Sequence, residues 1–166
     1  EKLRGQKIAL VPQSVAYLDP LMRVGAQVDG DIKPKPVDRR NRLFERFGLP
    51  QHTVKLYPFQ LSGGMARRVL VSTALITEAE LIIADEPTPG MSLEALRMFR
   101  ELADEGRAVI LITHDIDLAF EFADRVAVFY AGTTVETAPA VDFKTGPEAL
   151  RHPYSKALWR ALPQNG

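Results

Sequence analysis

The chain has 166 residues, and its 21 basic and 21 acidic side chains give a formal net charge of zero. This balance argues against bulk attraction to nucleic acid, which needs a positive surface. No cysteine occurs, so disulfides, thiolate zinc sites and a cysteine nucleophile are excluded. The length suits one domain with a real core, and no apolar run approaches the roughly 18 residues of a membrane span.

In chain order, the first half of the sequence predicts two strands and two helices. Short apolar runs that end at polar or breaker residues predict strands, and apolar residues at helical spacing predict helices. These elements are strand Lys7–Val11, helix Asp38–Phe47, helix Met65–Thr77 and strand Leu81–Ala84.

The second half continues the alternation. It predicts helix Leu93–Ala103 with Ser92 as its N-cap, strand Ala108–Ile112, helix Ile116–Ala123, strand Arg125–Tyr130 and helix Tyr154–Leu162. Strands that are continuously apolar indicate burial on both faces, as in a parallel sheet covered by helices. The sequence therefore predicts an α/β fold.

Polar side chains follow the ends of three predicted strands. Gln13 comes after the first strand, Asp85 and Glu86 end the second, and His114 follows the third. In parallel sheets, ligands bind beyond the carboxyl ends of the strands. We therefore expect these four residues to converge on one site.

The Asp85-Glu86 pair suits phosphate chemistry. One carboxylate could help hold Mg²⁺ while the other polarises a water for in-line attack on a phosphate. Apolar strands that end in Asp-Glu are common, and a solvated loop start is the alternative interpretation. His114 could donate to a phosphate oxygen, and Gln13 could ligate Mg²⁺ or the attacking water. Taken singly, both residues also suit a structural or exposed position.

The segment Leu61-Ser62-Gly63-Gly64 precedes the helix predicted from Met65. Its two glycines let the backbone approach a phosphate closely, and a helix start offers unpaired N–H groups and a positive dipole end. The alternative is a plain helix cap, with Ser62 accepting a hydrogen bond from the first turn.

Together and in this order, these segments resemble the ATP-binding-cassette (ABC) ATPase family. Val11-Pro12-Gln13 is similar to its Q-loop, Leu61 to Gly64 to its signature motif, Leu81 to Glu86 to its Walker B strand, and His114 to its switch histidine. The resemblance covers nearly the whole chain.

The resemblance implies ATP and Mg²⁺ as cofactors and a role for each site residue. Glu86 would be the general base or water-positioning carboxylate, and His114 would contact the γ-phosphate. Asp85 would support Mg²⁺ indirectly, and Gln13 would sense Mg²⁺ and the transporter interface. The signature residues Leu61, Ser62, Gly63 and Gly64 would complete the nucleotide site of an opposing subunit, which explains why such domains work in pairs.

The resemblance also implies a P-loop NTPase-like fold, with a mostly parallel sheet flanked by helices and a small helical subdomain. The chain would be a partial nucleotide-binding domain over residues 1–166. Its expected parts are a helical signature subdomain (about 19–80), a catalytic core (1–18 and 81–138) and a C-terminal tail (139–166).

A phosphate-cradling P-loop needs glycine followed by lysine, and no glycine of this chain is followed by lysine. In the family that motif lies upstream of the Q-loop, so we expect the N-terminal part of the domain to be missing. The isolated chain is then expected neither to bind ATP tightly nor to hydrolyse it. It is also expected to expose a sheet edge and to associate or aggregate.

Two further segments depart from the family pattern. Pro89-Gly90-Met91-Ser92 stands where a small residue, alanine, leucine and aspartate are usual, so Ser92 replaces an aspartate that crosses the dimer interface. Met65-Ala66-Arg67-Arg68 varies the polar residues that usually follow the signature motif.

Two segments and Met65 narrow the resemblance to dipeptide, oligopeptide and nickel importers: Leu18 to Gly25, and His152 to Leu158. The implied partners are transmembrane permease subunits, a second ATP-binding subunit and, indirectly, an extracytoplasmic substrate-binding protein, with no nucleic acid. The implied location is peripheral, at the cytoplasmic face of the inner membrane. The subfamily leaves peptide and nickel or metal-chelate transport open.

Leu21, Met22 and Val24 would dock on the membrane subunits, or else pack within the domain. A chain without a P-loop also suits a second function class, a non-catalytic module or degenerate cassette that binds partner subunits. A third class, a DNA-repair or chromosome ABC ATPase, is disfavoured because the chain has no sustained heptads.

Overall fold

A computed structural model of the chain describes residues 7–87, 91 and 93–162. The chain divides into two compact units, residues 1–114 and residues 115–166. The predicted N-cap Ser92 lies outside the described residues, as does most of the altered 89–92 segment. The expected division into helical subdomain, core and tail stays a prediction.

A parallel sheet forms the centre of the first unit. Its strands are β1 (Ile8–Val11), β2 (Leu81–Asp85) and β3 (Ala108–Ile112), in the order β1-β2-β3. The register places Leu10 opposite Ile83, and Ile83 opposite Ile110. These strands confirm the predicted parallel sheet, since each apolar run pairs along its whole length.

The helices of this unit are α1 (Val24–Asp29), α2 (Val37–Arg46), α3 (Gly63–Leu75) and α4 (Leu93–Asp104). Short 3₁₀ turns span Val15–Tyr17, Gln51–Lys55 and Pro58–Gln60. Helix α3 packs against β1, and α4 packs against β3. The predicted helices at these positions are confirmed, with ends that move by one or two residues.

The two faces of the sheet differ in burial. Val11, Ile82 and Ala84 are fully buried on one face, whereas Leu10 and Ile110 on the other are 42% and 49% exposed. The expectation that every strand is buried on both faces is therefore wrong for this chain. Successive side chains of a strand point to opposite faces, so covering one face leaves alternate residues in solvent.

Helix α1 was not predicted. It buries Val24, which is one of the three residues expected either to dock on the membrane subunits or to pack within the domain. Val24, its first residue, is completely buried, whereas Leu21 and Met22 before it are 86% and 43% exposed. The Val24 N–H donates to the Leu56 carbonyl at 2.9 Å. A Cβ on Gly25 would overlap Cγ1 of Val54. Glycine is thus what lets α1 approach the 51–55 turn so closely.

The second unit contains α5 (Ile116–Phe122), β4 (Arg125–Tyr130), β5 (Thr133–Pro139), α6 (Ala140–Thr145) and α7 (Pro153–Arg160), with a 3₁₀ turn at Pro147–Ala149. Its buried core consists of Phe120, Val128, Ala138, Phe143, Leu150 and Leu162. The indole N–H of Trp159 donates to the Phe143 carbonyl at 2.7 Å. This bond ties α7 to α6.

Strand β4 belongs to a separate two-stranded sheet, where it pairs antiparallel with β5. The expectation that it joins the parallel sheet is therefore wrong. Ala131 and Gly132 between the strands both have positive φ, 50° and 79°. Two consecutive positive-φ residues make the tight turn that returns the chain alongside itself. None of the helices in the described part of the chain is long and apolar enough to cross a membrane.

Candidate functional site

The carboxyl ends of β1, β2 and β3 lie at one edge of the parallel sheet, and the predicted site residues follow them. Gln13 comes two residues after β1, Asp85 ends β2 and Glu86 follows it, and His114 comes two residues after β3. In-register pairing of the three strands brings their ends together. The strand topology thus places the four predicted residues at the same edge of the sheet. Among them, Glu86 and His114 touch.

Glu86 and His114 are in direct contact. The backbone N–H of His114 donates to Glu86 Oε1 at 3.0 Å, and His114 Nδ1 lies 2.7 Å from the same oxygen. The Glu86 side chain is only 15% exposed, whereas that of His114 is 86% exposed. The pair thus joins a sheltered carboxylate to an imidazole that faces solvent.

The backbone of Glu86 adopts an uncommon conformation. Its φ is +46°, in the left-handed region that non-glycine residues seldom occupy. Its N–H donates to the Ile112 carbonyl at 2.8 Å, which continues the β2–β3 pairing one residue past the strand. Such strain concentrates at functional sites, where surrounding contacts maintain it. Here it directs the carboxylate toward the end of β3.

A residue that the sequence analysis did not assign to the site, Arg67 of α3, binds the ends of two strands. Its Nη1 donates to the carbonyls of Pro12 and Gln13 at 2.6 and 2.7 Å. Its Nη2 donates to the Asp85 carbonyl at 3.0 Å and to the Glu86 carbonyl. The available sequence signal was an arginine one turn into the helix after the glycine pair, where the chain departs from the usual polar residues.

Arg67 is 4% exposed. Burial lowers the pKa of its guanidinium from the ordinary value, while the negative charges of Asp85 and Glu86 act in the opposite direction. An arginine nonetheless stays protonated in proteins. A permanent positive charge therefore contacts the backbone of Asp85 and Glu86.

Ser62 serves as the N-cap of α3, since its Oγ accepts a hydrogen bond from the Met65 N–H at 3.3 Å. Ser62 and Gly63 are exposed, whereas Leu61 and Gly64 are half-buried. A Cβ on Gly63 would meet no atom within 4 Å, so the space beside the helix start is open. The helix-cap interpretation is thus confirmed, and the expected role of residues 61–64 across a dimer interface stays a prediction.

The acidic groups suit a cation that is shared with a phosphate ligand. Among the described residues, no cluster of three or more His, Cys, Asp or Glu side chains could hold a metal ion. Gln13 is exposed and Asp85 is half-buried at the sheet edge, and both offer oxygen atoms. Mg²⁺ prefers oxygen ligands and is usually held by one or two carboxylates together with phosphates and waters. Gln13 and Asp85 thus offer the type of donor atom that Mg²⁺ takes together with phosphates.

Comparison with known families identifies the chain. A family model described as ABC transporter matches residues 1–89. The chain belongs to the ABC transporter family. Its Glu86–His114 contact thus lies in an ABC transporter sequence, at the edge of the parallel sheet where the nucleotide chemistry was expected.

Peptide-transport proteins are among the similar ABC transporter sequences. The chain is 36% identical to the oligopeptide transport ATP-binding protein OppD of Lactococcus lactis subsp. cremoris, over 97% of this chain and 51% of that protein. It is 38% identical to the dipeptide transport ATP-binding protein DppD of Escherichia coli K12, over 98% of this chain and 53% of that protein. The chain thus spans about half the length of these curated relatives.

Solved ABC transporter structures share the fold. The dimeric structure of MJ0796, a bacterial ABC transporter cassette, superposes with a TM-score of 0.74 at 25% identity, over 84% of this chain and 65% of that one. A post-hydrolysis structure of the same cassette bound to ADP and Pi gives a TM-score of 0.71 at 25% identity, over 82% and 64% of the chains. The ABC cassette fold expected from the motifs is confirmed.

Proposed function

We propose that this chain is part of the ATP-binding subunit of an ABC importer that couples ATP hydrolysis to peptide uptake. The observation that carries the proposal is the contact between Glu86 and His114 at the carboxyl edge of the parallel sheet. The family assignment supports an ATPase, and the relatives named as oligopeptide and dipeptide transport proteins support a peptide substrate.

In the proposed mechanism, Glu86 orients the attacking water and accepts its proton. Its Oε1 is occupied by the N–H of His114 and lies against Nδ1 of the same residue. The imidazole would leave this oxygen and turn its exposed ring toward the γ-phosphate. The backbone N–H of His114 would keep the carboxylate oriented, because it does not depend on the side-chain rotamer.

Gln13 would hold Mg²⁺ beside the bound nucleotide and Asp85 would support the ion indirectly, where Mg²⁺ would supply charge neutralisation to the phosphates. Residues Leu61, Ser62, Gly63 and Gly64 would face the nucleotide of a second ATP-binding subunit. The open space beside Gly63 and the exposure of Ser62 support an approach by another molecule. The proposed assembly is therefore a pair of such subunits.

The proposed partners of this pair are transmembrane permease subunits, at the cytoplasmic face of the membrane. Leu21, 86% exposed, and Met22 beside it remain candidates for that contact, whereas Val24 is buried and is not. A substrate-binding protein outside the membrane would deliver the peptide.

Residues 1–166 alone are proposed to bind ATP weakly, because they contain no Gly-Lys sequence to form a P-loop. Titration with a fluorescent ATP analogue should give no saturation at micromolar concentration. Micromolar affinity would contradict this part of the proposal.

Uptake by cells that lack the gene tests the function and the substrate together. Loss of labelled oligopeptide uptake is expected, restored by the wild-type gene and by Glu136→Gln but not by Glu86→Gln. Glu136 is a matched control because it also binds backbone N–H groups, in the second unit. Loss of ⁶³Ni²⁺ uptake instead would assign the metal branch of the subfamily. Restoration by Glu86→Gln would favour the non-catalytic module.

A further inference from the structure

One side chain connects three of the segments that the proposed function needs. Arg67 lies in the second turn of α3, the helix that begins at the Ser62 cap. Its guanidinium reaches Pro12 and Gln13 after β1, and Asp85 and Glu86 at the end of β2. The helix behind residues 61–64 is therefore attached to both strand ends through a single planar group.

The pairing accounts for all four Nη hydrogens of the guanidinium. Each Nη atom donates to two consecutive carbonyls, Nη1 on the β1 side and Nη2 on the β2 side. Nε has no hydrogen-bond partner among the described residues. A guanidinium holds its donors in a rigid fork, whereas a lysine ammonium is a rotatable point donor. The geometry therefore requires arginine in particular.

Every bond is to the backbone, so Arg67 constrains where the strand ends lie and leaves the side chains of Gln13 and Glu86 available. The peptide of Glu86 is bound on both sides. Its carbonyl accepts from Arg67, and its N–H donates to the Ile112 carbonyl at 2.8 Å. These two bonds oppose relaxation of the left-handed backbone at Glu86, whose φ is +46°.

We propose that Arg67 is a positioning residue for the ATPase reaction, holding Glu86 and Gln13 at a set position relative to helix α3. This inference rests on the proposed function for its catalytic consequence, but its structural content is independent of it. Misplacing a reacting group by about 1 Å can cost on the order of 100-fold in rate. Loss of the four Arg67 hydrogen bonds should therefore lower turnover without removing a group that touches the substrate.

The neighbouring arginine offers a matched control. Arg68 donates to the carbonyls of Phe47 and Gly64, at 2.7 and 3.2 Å, and touches neither strand end. Arg67→Met and Arg68→Met each remove one guanidinium and its carbonyl hydrogen bonds from the same helix. The two variants differ in whether the lost bonds reach β1 and β2.

Amide hydrogen exchange tests directly whether Arg67 holds the Glu86 backbone in place. The experiment uses the protein at the full length that its gene encodes. In Arg67→Met the amide of Glu86 should exchange about tenfold faster or more, because the variant loses the charge-assisted bond to the Glu86 carbonyl and local opening becomes easier. In Arg68→Met the exchange rate of this amide should stay within about twofold of wild type. Unchanged exchange at Glu86 in Arg67→Met, or equal acceleration in both variants, overturns the inference.

Steady-state ATP hydrolysis by the same preparations tests the consequence. Arg67→Met should lower kcat about tenfold to 100-fold while KM for ATP stays within about twofold. Arg67→Lys, which keeps the charge but not the fork, should recover part of that loss. A fall in kcat that tracks thermal stability equally in the Arg67 and Arg68 variants would reduce Arg67 to a folding role.

A variant that does not fold and a wild-type protein that hydrolyses no ATP would give different results. If Arg67→Met does not fold, Arg67→Lys gives both measurements, and wild-type values for it overturn the inference. If the wild-type protein hydrolyses no ATP, the proposed function fails, and the exchange rate at Glu86 still decides whether Arg67 positions that residue.

Discussion

Two glutamates, one in each unit, accept hydrogen bonds from a backbone segment that contains a histidine. Glu86 accepts from the N–H of His114 and lies 2.7 Å from its Nδ1. Glu136 of β5 accepts from the N–H groups of Arg151 and His152 at 2.7 and 3.1 Å. Both carboxylates thus bind main-chain donors, and yet the two regions suit different purposes.

The difference lies in what else each carboxylate binds. Glu136 meets two consecutive N–H groups at the start of α7, and the ring of His152 turns away to accept from the Tyr154 N–H at 3.1 Å. Glu86 shares its oxygen with a histidine ring that is 86% exposed. A carboxylate that binds the backbone amides at the start of a helix anchors that helix. One bound by an exposed side chain can exchange that partner for a ligand.

The largest effect is expected at the exposed pair. Glu86→Gln removes the proposed proton acceptor and should lower kcat for ATP hydrolysis at least about 100-fold, the lower limit for general-base catalysis. Glu136→Gln, the matched substitution in the other unit, should leave kcat within about twofold. Phosphate release by the two purified variants checks this, and equal losses would end the distinction between the two glutamates.

A smaller effect is expected for the partner of Glu86. His114→Ala removes the imidazole but keeps the backbone N–H that orients the carboxylate, so kcat should fall about tenfold, as for a single lost transition-state hydrogen bond. Exchange of the Glu86 amide should not change. Faster exchange there would mean that the ring, and not Arg67, maintains the conformation of Glu86.

The next effect is on stability and depends on pH. Burial acts to raise the pKa of Glu136, but hydrogen bonds from the Ser155 side chain and from the N–H groups of Arg151 and His152 outweigh it and hold that pKa below its ordinary value. The stabilisation that ionised Glu136 gives to the folded state is therefore complete above the unfolded-state pKa, about 4.3 for glutamate. It is lost as the pH falls through the lower folded-state pKa.

Glu136→Gln should accordingly lower the free energy of unfolding by about 1 kcal/mol at pH 7. The difference from wild type should shrink on acidification below the ordinary pKa of glutamate. Urea unfolding at several pH values measures it. A difference that stays constant down to pH 3 would contradict a charge-dependent contact.

The smallest effect is expected at His152, the N-cap of α7. His152→Ala removes the ring nitrogen that caps α7 but leaves the N–H that donates to Glu136, so the loss should be about 0.5–1 kcal/mol. His152→Asn, which restores a capping side chain, should recover most of it. A loss clearly larger than that of Glu136→Gln would show that the ring also holds the carboxylate.

Local patterns predicted the elements well where apolar spacing was strong. Strands β2 and β3 and helices α2 to α4 were expected within a few residues of their observed bounds. Helix α1 was missed because its six residues include a glycine and make fewer than two turns. Strand β5 was missed because its three threonines and Glu136 leave no apolar run.

The sequence by itself determined the family and the order of the site segments, because each motif is a local arrangement of residue types that one strand end or helix start can carry. The tertiary structure decided which side chains meet. The Glu86–His114 contact spans 28 residues, and the bonds of Arg67 to the β1 end span 54 and 55. Contacts so distant along the chain exist only after the strands pair and α3 packs on them. No local propensity records them.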